Sequence, residues 1–280
     1  MNAETLLGLE APVRLAAFIS VLVAMALWEL LAPRRALSVG KAWRWVNNAG
    51  VVAVDTLLVR LLFPAGAVAL GAWVESQGWG LLGWLGLPFW VTVGVAVVVL
   101  DGVIWAQHWA FHKVPLLWRL HRMHHADPDI DVTTGLRFHP LEILLSMGIK
   151  LAAILALGAP ALAVLLFEVL LNATSLFNHG NVRLPSGLDR WLRLVVVTPD
   201  MHRVHHSWHR DETDSNFGFN LPWWDRLFGT YHAQPRDGHQ GMTIGLHAFR
   251  DPRWLRLDRM LLQPLSREAE EPARGRPRPE

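Results

Sequence analysis

The sequence predicts an all-α integral-membrane protein of four to five hydrophobic helices, topped by a histidine-rich helical cap. Three observations carry that expectation. The 280-residue chain is 52% hydrophobic and 18% charged, with mean hydropathy +0.24, where an ordinary soluble domain carries about 25% charged residues. Several apolar runs suit a hydrocarbon core about 30 Å thick, which takes roughly 20 helical residues. The histidines, in turn, gather beside the ends of those runs.

Residues 15–32 form the first run, with Glu29 near its end; it lacks the basic start and small-residue cleavage site of a removable leader. Residues 49–74 form the second, interrupted by Asp55, Arg60 and Pro64, and Asp55 and Arg60 read as an intramembrane pair. Residues 87–111 form the third, which carries Asp101 and ends in histidine. Residues 141–177 are long enough to cross twice, and Gly158, Ala159 and Pro160 divide them into a hairpin whose halves look short for full crossings. Beyond Gly180 the chain turns polar, with short helices and turns. In 216–231 (NFGFNLPWWDRLFGTY), Trp223 and Trp224 suit either the headgroup level of an interface or the closing of a site. Residues 266–280, rich in Glu, Arg and Pro, read as a disordered tail.

Basic residues mark one side. Arg34, Arg35, Lys41 and Arg44 follow the first run, Lys113, Arg119 and Arg122 the third, and Arg183, Arg190, Arg193 and Arg203 the hairpin, whereas 75–88 has no Lys or Arg. The positive-inside rule turns these loops to the cytoplasm, and the histidines go with them. A net charge of +2 spread over loops and tail speaks for orientation in a membrane and against nucleic-acid binding. The absence of Cys excludes disulfides, thiolate metal sites and iron–sulfur clusters.

His108 and His112 form H-x-x-x-H; His121, His124 and His125 form H-x-x-H-H; His202, His205 and His206 repeat H-x-x-H-H. Spacings of three and four stack side chains on one helix face. With 14 His in 280 residues, an H-x-x-H-H arises by chance about 0.03 times per chain, so two copies beside an H-x-x-x-H are not accidental. Dense histidine tracts read as metal binding. Eight nitrogens exceed the four ligands of zinc and the six of octahedral ions, so the expected site is di-metal. Imidazole suits iron, copper, zinc and nickel alike and does not choose among them. His232, His239 and His247 stand alone and read as ordinary buried or surface residues.

Seven motifs appear in order: HWAFH (108–112), HRMHH (121–125), RFHPLE (137–142), NHGN (178–181), HRVHHS (202–207), NFG (216–218) and WDRLFGTY (224–231). Over roughly residues 95–235 the chain closely resembles the fatty acid hydroxylase superfamily, also called the sterol desaturase family, of integral-membrane di-iron oxygenases. The resemblance implies ligand roles for His108, His112, His121, His124, His125, His202, His205 and His206, with His179 as a further ligand. It leaves His139 either as a ligand or as a helix-start residue bonded to a backbone carbonyl or to Glu142. Asn178 and Asn181 are expected to orient His179 or a metal-bound water, and Asp101, two turns before His108, to face the same interior.

It further implies two iron ions (Fe2+/Fe3+), O2 as co-substrate, and hydroxylation or desaturation of a C–H bond in a sterol, fatty acyl or alkylglycerol chain. No stretch reads as a cytochrome or flavin domain, so electrons are expected from a separate donor: a ferredoxin, a small b-type cytochrome or a reduced pterin. The expected location is a bacterial inner membrane, with histidines and C-terminus cytoplasmic. The divisions are 1–86, N-terminal transmembrane helices; 87–235, the catalytic domain; and 236–280, a C-terminal cytoplasmic segment with the tail. Two other classes fit the histidines less well: a non-redox di-zinc membrane hydrolase, and a metal-handling membrane protein, whose ligands would be strung along a pathway. Haem needs one or two axial histidines, not triplets.

Overall fold

The computed structural model describes residues 3–266, and helices build it; among the described residues the one strand-like feature is an isolated bridge between Ser207 and Ile244. The bundle comprises α1 (Ala3–Leu31), α2 (Lys41–Leu62), α3 (Gly66–Ser76), α4 (Leu81–Leu85), α5 (Phe89–Lys113), α6 (Pro115–His125), α7 (Pro140–Leu157) and α8 (Ala161–Asn178). Among the described residues, five stretches are long and apolar enough to cross a membrane: Glu4–Leu31, Lys41–Leu85, Phe89–Lys113, Pro140–Leu157 and Ala161–Asn178.

The second stretch is not one helix. Pro64 removes an N–H and disfavours a helical residue before it, so α2 stops at Leu62 and α3 resumes at Gly66. The hairpin breaks where the sequence suggests, at a left-handed Gly158 (φ 73°). Its halves are not short: 18 residues each give about 27 Å at 1.5 Å per residue, a membrane's thickness. Trp79–Gly80 and Gly158 cross so closely that a Cβ on either glycine would enter the other's backbone.

Charges inside the bundle are managed by pairing. Lys150 of α7 and Arg14 of α1 both bind the buried Glu168 of α8, the latter at 3.0 Å, so an ionic cluster stands where the sequence reads as an unbroken apolar run. The expected Asp55–Arg60 pair does not form: Asp55 is buried with one carboxylate oxygen unpartnered, and Arg60 is exposed. A shared apolar core of α3, α5, α7 and α8, including Leu100, Ile104, Ile154, Val164 and Phe167, lies beneath the histidines.

The cap adds a 3-10 turn (Val132–Leu136), α9 (Ser186–Leu192), α10 (Pro199–His205) and short helical turns. Arg34 and Arg203 bind Asp200, Arg44 binds Asp127, and Lys113 binds Asp214. The basic stretches therefore gather at the histidine end of the bundle, away from the Gly80–Gly158 crossing. The C-terminal segment is folded as far as Ser266: Arg122 donates to the carbonyls of Gln263 and Ser266 (both 2.9 Å), and Leu257 N donates to Asn47 Oδ1 (2.9 Å). The tail expected over 266–280 lies, beyond Ser266, outside the described residues.

Candidate metal centre

Short, firmly started helices aim the histidines. α5 ends in His108 and His112, one turn apart. Pro115 starts α6 and Pro199 starts α10, both in the first turn, where a missing N–H costs nothing. The Thr198 hydroxyl caps α10 by accepting from Met201 N, and His179 caps the C-terminus of α8. The nine imidazoles converge, none more than 3% exposed.

They form two groups: His108, His112, His121, His125 and His205; and His124, His179, His202 and His206. Within each, one nitrogen per ring lies within 4.8 Å of the others. Each H-x-x-H-H is split between the groups. His121 and His125, one turn apart, join the first while His124 faces the second; His202 and His206 join the second while His205 crosses to the first. This exchange sets the groups side by side, with the rings of His125 and His206 stacked 4.7 Å apart across the seam.

The outward nitrogens are held. Nδ1 lies 2.7 Å from Phe217 O in His108, 2.7 Å from Glu142 Oε1 in His121, 3.2 Å from Arg137 O in His124, 2.7 Å from Ser175 O in His179 and 2.6 Å from Ser215 O in His205. Carbonyl and carboxylate oxygens accept, so each Nδ1 carries a proton, and a ring neutral in this tautomer has a bare Nε2. Yet Nε2 of His108 sits 3.0 Å from Nε2 of His121, and Nε2 of His179 sits 3.1 Å from that of His124. Two lone pairs cannot hydrogen-bond each other. A cation between them resolves the contact, and outer partners that fix ring tautomers are what metal-binding imidazoles use. Nε2 of His112 and His205 and both nitrogens of His206 are likewise buried without a partner.

Protonation does not compete at neutral pH. Burial first, then the neighbouring imidazoles, pushes the pKa values of His124, His125, His202 and His206 well below the ordinary value. Burial lowers His179 to about 4 and His205 to about 3 despite their carbonyl partners. The donor set, all imidazole nitrogen, fits a borderline divalent transition metal in each group.

The other expected residues lie elsewhere. His139 caps α7, its Nδ1 accepting from Leu141 N (3.2 Å) and its Nε2 donating to Leu261 O (3.1 Å); it belongs to neither group. Glu142 serves His121 instead of His139. Asn178 donates to Phe219 O (3.1 Å). Asn181 exchanges hydrogen bonds with the backbone of Arg35 and so pins the α1–α2 connection, not His179. Asp101 does face inward, but it accepts from Trp224 Nε1 (2.8 Å) and Leu221 N (3.3 Å), which holds the 216–231 stretch against α5.

Asp225 was not singled out by sequence, although the NFG and WD motifs contain the signal. Its carboxylate accepts from Phe217 N (2.9 Å), Gly218 N (2.9 Å), Trp105 Nε1 (3.0 Å) and Thr230 Oγ1 (2.7 Å). That fixes the turn whose carbonyls, at Ser215 and Phe217, hold His205 and His108. The two motifs are one device. Removing an outer partner should loosen the metal without removing a ligand: Glu142→Ala is expected to weaken binding at the five-histidine group by about 10–100-fold. A competition titration against a chelator measures this, and equal affinities would refute the assignment of Glu142.

The family model for fatty acid hydroxylase matches residues 93–230. The chain is 31% identical over 157 residues to the ornithine lipid hydroxylase of Rhizobium tropici (56% of this chain, 46% of that protein). It is 29% identical over 153 residues to human alkylglycerol monooxygenase (53% and 32%), and 32% identical over 175 residues to a very-long-chain aldehyde decarbonylase of Oryza sativa subsp. indica (57% and 28%). The chain thus spans less than half the length of each of these relatives. No solved structure matches it. With its motif order, five apolar stretches and paired histidine groups, the chain belongs to the fatty acid hydroxylase superfamily.

Proposed function

We propose that this chain is a membrane-embedded di-iron oxygenase that uses O2 and externally supplied electrons to hydroxylate, or desaturate, a C–H bond in the apolar chain of a lipid. The observation that carries the reading is the pair of facing, partner-less Nε2 sets in two adjacent groups, sealed from water. A redox metal is what O2 chemistry requires, which zinc is not. His108, His112, His121, His125 and His205 would hold one iron, and His124, His179, His202 and His206 the other. When bound, the pair supplies O2 activation and C–H cleavage.

The chain's own residues do the rest. Phe217, Ser215, Ser175 and Arg137 hold imidazole Nδ1 protons through their carbonyls, and Glu142 does so through its carboxylate, so the Nε2 lone pairs stay aimed inward without rearrangement. Near-complete burial of all nine rings excludes bulk water from the reacting centre. The relatives' names point to lipids with long chains as the substrate class: ornithine lipid, alkylglycerol and very-long-chain aldehyde. On this reading residues 87–235 carry the chemistry, the histidine end faces the cytoplasm of a bacterial inner membrane, and a separate ferredoxin, small b-type cytochrome or reduced pterin supplies electrons.

The test is metal content by mass spectrometry on protein purified anaerobically with iron supplied and zinc limited, followed by lipid turnover under O2 with a reductant. About two irons per chain and an oxygen-dependent product are expected. Two zincs that resist exchange for iron, with lipid cleavage in the absence of O2, would replace this reading by a di-metal hydrolase.

A further inference from the structure

The histidine chamber has two unlike walls. Of the five non-histidine rings in contact with its imidazoles, Phe111, Trp118, Phe138, Phe217 and Phe219, two lie under cations: Lys113 is 5.9 Å from the Phe217 ring and Arg210 is 5.3 Å from that of Trp118. These two face charged side chains. Only Phe138 and Phe219 pack into the apolar cluster of α3, α5, α7 and α8 that runs down into the membrane.

Each of those two rings straddles the seam between the groups. Phe138 stacks on His124 at 4.4 Å and 11°, and lies 6.2 Å from His121. Phe219 lies 5.0 Å from His108 and 6.0 Å from His202. The rings are 6.3 Å apart and together cover both candidate metal positions on the membrane side. Phe219 is buried, whereas Phe138 keeps part of its surface open although it stacks on a histidine that is fully buried.

We propose that Phe138 and Phe219 are the positioning residues for the reacting chain: they form the membrane-side wall of the chamber, and an alkyl chain rising between α5, α7 and α8 meets the metal pair only at the opening these two rings leave. The proposal rests on the lipid-oxygenase reading for its consequence, which carbon reacts, but not for the wall itself. A chain arriving from the membrane must displace or slide along these rings, because all nine imidazoles are buried and, of the five rings around them, Phe138 and Phe219 are the two that join the apolar cluster below. Their bulk therefore sets how far a chain penetrates. Truncating either to Ala removes that bulk and leaves a cavity, so a chain reaches deeper.

Photolabelling and product analysis test this on the full chain, metal-loaded, in nanodiscs of phosphatidylethanolamine and phosphatidylglycerol. The probe is a hexadecyl alcohol with a terminal diazirine. In the wild type, label is expected on α5 and α7 beside Leu100, Ile104 and Leu151. In Phe138→Ala and Phe219→Ala the label should shift several-fold toward peptides 121–138 and 202–219, with metal content unchanged. Any oxygenated product should move to a carbon farther from the terminal methyl group. Phe138→Leu and Phe219→Leu, which keep most of the volume, should retain the wild-type pattern; if an Ala variant fails to fold, Phe138→Val or Phe219→Val, which removes about half of the ring's bulk, takes its place and should show the same shift in smaller degree.

An unchanged label pattern in the metal-replete truncated variants (Ala, or Val in its place) would overturn the wall, whatever the activity. A shifted pattern in a protein that makes no oxygenated product from any chain would uphold the wall and count against the oxygenase reading instead.

Discussion

His124→Ala and His205→Ala are each expected to abolish turnover while leaving the protein inserted in the membrane, with the metal loss differing between them. His124 belongs to the group of four, so its removal leaves three nitrogens, one fewer than a closed four-ligand site uses. His205 belongs to the group of five, and four nitrogens remain. Metal content should therefore fall from about two per chain to about one or fewer in His124→Ala, and by less in His205→Ala. Activity vanishes in His124→Ala because the proposed chemistry needs the two ions together, and in His205→Ala because the four nitrogens left no longer fix the geometry of the ion they hold. His247→Ala is the control: that exposed ring stacks on Trp208 at 4.5 Å and touches neither group. Mass-spectrometric metal content and lipid turnover are measured on all three. Retained turnover in His124→Ala would defeat the two-ion assignment, and in His205→Ala the ligand role of His205.

That prediction is available partly from sequence, and the boundary is physical. The spacings of three and four bring the rings to one face, and eight nitrogens demand two ions. What spacing does not convey is the exchange, in which His124 and His205 each leave their own motif for the other group. A three-residue step rotates a side chain about 60° short of a full turn, and which side of a partner helix receives it depends on packing between α6 and α10. His179 could be named from its motif. The carbonyls of Arg137, Ser175, Ser215 and Phe217 could not, since every residue has one and only the fold selects among them.

Charged residues show the same limit. Arg44 counts, in sequence, as one of several positive charges that orient the membrane helices, yet its side chain is fully buried. Asp101 stands two turns from His108 on the same face, as periodicity suggests, but two turns is about 11 Å along the axis, deep enough to meet Trp224 instead of the metal groups. Lys150 and Glu168 pass unremarked inside an apolar run, because hydropathy averages over a window while an ion pair involves two atoms. The apolar runs, the hairpin break and the folding of the cap onto one end are properties summed over many residues, and those were legible.

Arg44→Met is expected to be the most destabilising single change in the protein. The guanidinium donates to Asp127 Oδ1 (2.9 Å) and Oδ2 (2.7 Å), to Thr134 Oγ1 (3.1 Å) and to Asp131, with every partner buried. It fastens the start of α2 to the segment that leaves α6 immediately after His124 and His125. Removing one side of a buried ion pair strands the other and costs about 3–5 kcal/mol, here with two carboxylates left behind.

The pH dependence gives the sign. Burial by itself raises the Asp127 carboxyl, but the charges of Arg44 and Arg137 outweigh it and hold its pKa below the ordinary carboxylate range. A depressed acid stabilises the fold above its unfolded pKa of about 3.9, and that contribution disappears as pH falls through the lower folded value. Without Arg44, burial dominates and the folded pKa rises above the unfolded one, so Asp127 destabilises the fold at neutral pH and ceases to do so on acidification. The deficit of Arg44→Met should therefore shrink as pH falls through the acid range, and adding Asp127→Asn should recover part of it at neutral pH. Thermal unfolding in detergent of wild type, single and double variants reads both effects. A deficit independent of pH would mean that the carboxylates are not charged partners of Arg44 in the folded protein.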